Sequence, residues 1–320
     1  VSRIVPAVVL GATIVAVAPA AAQAAKAPSP STGLAGGITA QSATLTGSVN
    51  PNGAATRFWF QYGTTSKLGT STPRQSAGKG EAAVGAVAGV TALKSGTTYH
   101  YRLVARNAKG TRYGKKRRLK TPKVPLNFTV AASPNILDYR ETTTIAGTLG
   151  GTNAAGRQIR IERSVWPHTG GFQPVGNPLL TNPDGTFALP ILASSFTSLY
   201  RVVTTGKNPI VGGPFEVPVR AEVDTHVGHT RVNRNARLQF KGKVRPAKVG
   251  VQVGVQKLSS KKTWITIAGS RTTQGGAPFA RYKLRAPIRG AGGLYRVFVK
   301  VDDGSNVSHF GETIRIRTRR

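Results

Sequence analysis

The chain has 320 residues, with 45 Lys and Arg against 11 Asp and Glu, a formal net charge of +34, and neither Cys nor Met. The missing thiols exclude disulfides, thiolate nucleophiles and cysteine-based zinc sites. So large a positive charge favours a soluble, self-repelling molecule drawn to polyanions, and carries no information about fold.

The N-terminus reads as an export signal. One early cation, Arg3, precedes an apolar run from Ile4 to Ala18, and Ala22-Gln23-Ala24 is a small-x-small cleavage site. The run is short of the roughly 20 apolar residues of a membrane span. The expectation is a signal peptide over residues 1–24, a flexible Pro/Ser/Gly lead-in over 25–32, and no transmembrane segment in the mature chain; an uncleaved leader acting as an anchor is the alternative. The expected location is outside the cell, with retention at the cell surface as an option. The remaining length suits two or three domains of about 100 residues each, large enough to fold without disulfides.

Beyond the lead-in no long helical periodicity occurs. Short runs alternate apolar and polar at every second residue, punctuated by Gly, Pro, Asn and Asp, which is the pattern of β-sandwiches. In the first block, 33–123, "ATLTGSV" is a strand and "NPNG" a turn. "TRFWFQYG" is an aromatic strand with Phe58 and Phe60 on one face and Trp59 on the other. "EAAVGAVAGV" is a small-residue strand. Then Leu93, Ser95-Gly96-Thr97 and Tyr99 lead into alternating Tyr99, Tyr101, Leu103 and Ala105. Leu93 and Tyr99 in that spacing resemble the tyrosine corner of fibronectin type III domains, and about 85 residues resemble the version of that domain found in secreted bacterial proteins. The resemblance implies that Tyr99 bonds back to upstream backbone and that "GKKRRLK" is the closing strand, anchored by Leu119. Lys115, Lys116, Arg117, Arg118 and Lys120 form the densest cation cluster in the chain. Four consecutive cations cannot all point outward on a regular strand, so a bulge or a loop is expected before Leu119.

The second block, 124–220, opens with two strands in "LNFTVAASPNILDYRETTTIAGTLGG". It continues through "RQIRIERSVWP", an Asn-Pro-Asp-Gly turn, "GTFALPI" and "SLYRVVTTG". The third block, 221–320, repeats the layout. "RLQFKGKV" matches "TTIAGTL", "VGVQVGVQKL" matches "RQIRIERS", "ARYKLRAPI" matches "GTFALPI", and "GLYRVFVKV" matches "SLYRVVTTG". Both blocks resemble immunoglobulin-like modules of bacterial surface proteins. The fold class is therefore all-β: three tandem β-sandwich domains, one fibronectin type III-like and two immunoglobulin-like.

Charge is uneven. The first block holds one acid, Glu81, the second is nearly balanced, and the third is again strongly basic. Arg281, Lys283 and Arg285 share one face of "RYKLR", and Arg315 and Arg317 share one face of "RIRTRR". Solvated outer faces explain such alternation; several strands side by side would also make a wide cationic surface.

The catalytic inventory is sparse. "DTHVGH" brings Asp224, His226 and His229 together without the spacing of a zinc motif. "VDDGSN", with Asp302, Asp303 and Asn306, has too few oxygen ligands for a calcium loop and reads as turn chemistry. No nucleophile elbow or phosphate loop occurs. No catalytic residue, metal or cofactor is assigned.

The expected function is a non-catalytic secreted or cell-surface protein for adhesion, spacing or envelope association. Its partners would be anionic envelope polymers or acidic polysaccharide, with nonspecific binding of extracellular DNA as a further consequence of phosphate contact. The alternative is a carbohydrate-binding accessory module using Trp59, Trp166 and Phe172 as aromatic platforms, although packing explains those rings equally well.

Overall fold

The computed structural model describes residues 24–192 and 194–319. Except for Ala24, the signal-peptide reading lies outside the described residues. The chain divides into two compact units, one ending at Val124 and one running from Pro125 to Arg320. Among the described residues there is no helix, and so none long and apolar enough to cross a membrane. The architecture is all-β, with three tandem sandwiches and one apolar core in each.

The first sandwich contains β1 (Ser29–Thr32), β2 (Ala43–Asn50), β3 (Thr56–Gly63), β4 (Thr70–Ser71), β5 (Gln75–Gly78), β6 (Val84–Val90), β7 (Thr98–Asn107), β8 (Gly110–Tyr113) and β9 (Arg117–Lys120). One sheet runs β1-β2-β6, so Ser29–Thr32, expected as the end of a flexible lead-in, is instead an edge strand laddered to β2, with Thr32 buried. The other runs β4-β3-β7-β8, with β5 also on β3 and β9 also on β7. Alternation drives the packing: Leu45, Val49, Phe58, Phe60, Tyr101 and Leu103 meet between the sheets. Tyr99 lies against Leu93 in that core, and its hydroxyl accepts a 2.9 Å hydrogen bond from the backbone N–H of Lys94. This bond ties the end of the inter-sheet loop to the start of β7.

The second sandwich contains β10 (Asn127–Ser133), β11 (Thr142–Gly150), β12 (Gln158–Val165), β13 (Gln173–Leu180), β14 (Thr186–Leu192), β15 (Ser198–Thr204) and β16 (Val211–Val217). The third contains β17 (Glu222–Val227), β18 (Arg231–Asn233), β19 (Arg237–Arg245), β20 (Gln252–Leu258), β21 (Trp264–Arg271), β22 (Thr273–Gln274), β23 (Ala280–Pro287), β24 (Gly292–Lys300), β25 (His309–Phe310) and β26 (Ile314–Arg319). The internal repeat appears in the pairing. The sheet β10-β11-β14 has its counterpart in β17-β19-β23, and β13-β12-β15-β16 has its counterpart in β21-β20-β24-β26.

Even a local detail repeats. Gly147 on β11 pairs with Phe187, and Gly242 on β19 pairs with Tyr282. A Cβ at Gly242 would stand 1.8 Å from the Asp224 carbonyl oxygen and 2.6 Å from the Tyr282 hydroxyl. That hydroxyl donates to the Asp224 carbonyl at 2.8 Å and lies 2.7 Å from the Thr225 hydroxyl. The aromatic ring fills the space that a side chain on β19 would otherwise take.

"VDDGSN" departs from its reading as simple turn chemistry. It lies in the eight-residue connection 301–308 between β24 and β25, and it joins the second and third sandwiches. The Thr197 N–H donates to the Ser305 carbonyl at 2.8 Å, and Asn306 Nδ2 donates to the carbonyls of Ser195 and Val219. Lys248 is buried here. Its ammonium pairs with Asp303 at 3.0 Å, bonds to the Ser305 hydroxyl, and lies 5.1 Å from the ring centroids of both Trp166 and Phe196. Burying a lysine is tolerable only with such partners.

Candidate functional site

The outer face of the β17-β19-β23 sheet concentrates cations, with acids only along its β17 edge. On β19 the even positions 238, 240 and 244 are buried, which turns Arg237, Gln239, Lys241, Lys243 and Arg245 outward. On β23 the buried Tyr282, Leu284 and Ala286 turn Arg281, Lys283 and Arg285 outward in the same way. The register then sets Lys241 directly opposite Lys283 and Lys243 directly opposite Arg281, with Arg285 opposite Gln239. Like charges placed directly across a ladder destabilise it. Among the described residues none of Lys241, Lys243, Arg281, Lys283 or Arg285 takes part in an ion pair. A depression of about 490 Å³ is lined by Lys241, Lys243, Arg281 and Lys283, with Asp224 and His226 on its β17 side. Phe279 sits beside it, with Lys243, Arg245 and Arg281 at 4.6, 5.9 and 5.6 Å from its ring centroid. Chemically this face can hold several anionic groups at once, with cations on each strand repeating about every 7 Å.

Asp224 and His226 belong to the border of this face. They project from β17 opposite Lys243 and Lys241, while His229 lies beyond the strand. Asp224 therefore offsets one edge of the cationic field. Glu222 forms a 3.2 Å ion pair with Arg245.

The structure separates the remaining candidate cations. In "GKKRRLK" only Arg117–Lys120 is strand; Lys115 and Lys116 lie in the connection before it. Leu119 is buried opposite Tyr99, and Arg117, on the same side of the strand, turns back to donate from Nε to the Thr32 carbonyl at 2.7 Å. Lys116 donates to the Ser66 carbonyl at 3.0 Å. Lys115, Arg118 and Lys120 are exposed. Arg315 and Arg317 are exposed on β26, in the sheet that does not contain β19 and β23, and so do not extend the Lys241–Lys283 face. Arg317 meets Arg231 across the parallel β18-β26 pair, another like-charge contact.

Sequence reading missed Lys241 and Lys243. Their outward parity was present in "RLQFKGKVR", but their alignment with "RYKLR" is a matter of long-range register.

The three aromatic candidates have different fates. Trp166 packs against Phe196 at the joint between the sandwiches of the second unit. Phe172 lies under the Arg201 guanidinium at 4.2 Å. Arg201 also holds the buried Glu162 at 2.7 Å, with Arg160 on its other oxygen. Trp59 is half-buried on the outer face of β3, with Arg74 4.8 Å from its centroid. Trp264, on β21, is half-buried under Arg296 at 4.2 Å.

Two titrating groups are shifted at or near the joint. Burial opposes ionisation of Asp303, but hydrogen bonds from the Ser305 hydroxyl and amide and the Lys248 charge outweigh it, holding the carboxyl below its usual range. His309 is pushed down by burial and by the nearby Arg220 guanidinium.

No family model and no curated protein matches the chain. Among solved structures it is similar to a tetra-tandem repeat in the extending region of a large adhesion protein, at 15% identity and a TM-score of 0.32, over 90% of this chain and 74% of that one. It is also similar to three titin domains, at 14% identity and 0.38, over 92% and 100%. The chicken CNTN1 FN1-FN3 domains align at 15% identity and 0.25, over 91% and 100%.

Proposed function

We propose that the protein is a non-catalytic, exported, modular binding protein. Its sandwiches act as spacers, and its cationic faces hold it to anionic polymers of a cell envelope or matrix. The observation that carries this reading is the facing pair of cation rows, Lys241 and Lys243 against Arg281 and Lys283, none of them in an ion pair among the described residues and with Asp224 the acid at their edge. Such an arrangement is unfavourable in isolation and becomes favourable when an anionic chain lies along it. Contact with phosphate or carboxylate groups alone requires no base-reading or catalytic group, so nonspecific DNA retention follows from the same chemistry.

The test is retention of the full chain on isolated envelope polymer and on immobilised polyphosphate as NaCl is raised. Strong retention at low salt that declines steeply with salt is the expected result. No retention at low salt, or retention indifferent to salt, refutes the electrostatic reading.

A further inference from the structure

The face of the first sandwich differs in kind from the lysine-rich face of the third. Across β3, β7 and β8 the register aligns Trp59, Val104 and Tyr113 in one row on the outer side. Val104 is fully buried there, while Trp59 is half-buried and Tyr113 is 55% exposed. Two inter-strand spacings put the two aromatic positions about 10 Å apart.

Guanidinium groups frame this row. Arg57 and Arg106 are directly opposed in the next row, and Arg74 lies over Trp59. Arg102 lies 4.0 Å from the Tyr113 centroid and is held there by two bonds to the Gln61 carbonyl oxygen, at 3.0 and 2.8 Å. Arg57, Trp59, Arg74 and Arg106 line a hollow of about 660 Å³. No ion pair among the described residues uses any of these four arginines.

We infer that this face is a binding site for a linear acidic polysaccharide, whose uronate carboxylates sit on the arginines and whose sugar rings lie on the Trp59–Tyr113 row. The inference rests on the polyanion reading above and narrows it to one face and one ligand class. Guanidinium forks match carboxylates bidentately and offer only donors. A sugar acid supplies carboxylate, hydroxyl and ring-oxygen acceptors in excess, together with an apolar ring face for the aromatics. The spacing of the aromatics suits two rings of one chain rather than a single isolated anion.

The experiment is calorimetric titration of the full chain with oligogalacturonate, and in parallel with a neutral glucan oligomer and a single-stranded oligonucleotide. Tyr113→Ala, whose ring is mostly exposed, and Arg57→Gln/Arg106→Gln are read beside Trp59→Ala and Trp59→Phe. Thermal unfolding of each variant identifies any that fails to fold. The expected result is oligogalacturonate binding that weakens roughly tenfold or more in Tyr113→Ala and in the double arginine variant, with no detectable binding of neutral glucan. Equal oligogalacturonate affinity in wild type and these variants overturns the inference, as does an oligonucleotide that binds more tightly than oligogalacturonate in a Tyr113-dependent manner. Polyphosphate retention keeps the two ideas separate. If it persists while the Tyr113 dependence is absent, this site fails and the broader function stands; if it is absent altogether, the broader function fails on its own measurement.

Discussion

Replacing Lys241 and Lys283 together with Gln gives opposite signs for stability and for binding. The two residues are directly opposed on β19 and β23, and neither is in an ion pair or over an aromatic ring among the described residues. At about 7 Å in water two unit charges repel by about 0.6 kcal/mol, before salt screening. The double variant should therefore be more stable by up to about 0.5 kcal/mol in low-salt urea unfolding, with an unchanged m-value.

Its binding should weaken in the reverse sense. Each cation that neutralises one phosphate on a flexible polyanion contributes about 0.7 to the slope of log K against log salt, so the pair contributes about 1.4. Between about 50 and 200 mM salt, wild type should lose about sevenfold more affinity for polyphosphate than the variant. Lys261→Gln/Lys262→Gln is the control. It removes the same charge from the exposed turn between β20 and β21, away from the ladder. A Lys241/Lys283 variant that is less stable than wild type, or whose salt slope falls no more than the control's, refutes the reasoning.

Gly242→Ala should destabilise the third sandwich by about 2 kcal/mol or more in denaturant unfolding, because the added methyl meets the Asp224 carbonyl and the Tyr282 hydroxyl. Tyr99→Phe removes the acceptor for the Lys94 N–H and should lower the stability of the first unit by about 1 kcal/mol, read as a shift in urea midpoint. The depressed Asp303 carboxyl gives the second unit stability that is fully present above the unfolded carboxylate pKa of about 3.9 and is lost as pH falls through the lower folded value. Urea unfolding between about pH 5 and 2 should show that loss, and Asp303→Asn should reduce it.

What could be read from the sequence followed from local pattern. The period-2 alternation of Phe58, Trp59 and Phe60 separated the core rings from the outer one, and the block-to-block matches set β11, β12, β14 and β15 against β19, β20, β23 and β24, which hold equivalent places in the second and third sandwiches. The opposed cations were not legible, because they depend on the β19-β23 register across some forty residues of chain. "VDDGSN" has ordinary turn composition, and its role came into view only where Asn306 reaches the carbonyls of Ser195 and Val219. "GKKRRLK" was read as one cluster, yet neighbouring cations diverge: Arg117 holds β1 while Arg118 faces solvent.

The placement of the few acids argues that the basic faces are more than a compositional excess. Five carboxylates supply all six ion pairs among the described residues, and every one of these pairs lies in the second unit. Glu162 is buried between Arg160 and Arg201, and Asp303 holds the buried Lys248 at the joint. There the acids serve cations whose positions the fold needs to hold. They are missing from between β19 and β23 and from around Trp59, where, among the described residues, Lys241 and Lys283 lie over no ring and other cations stack on Phe279 and Trp59 instead. At Lys241 and Lys283 stability alone favours neutral residues, since these opposed cations work against the ladder that carries them. An anionic partner reverses that balance, which is why the salt slope of the Lys241/Lys283 variant discriminates better than its stability.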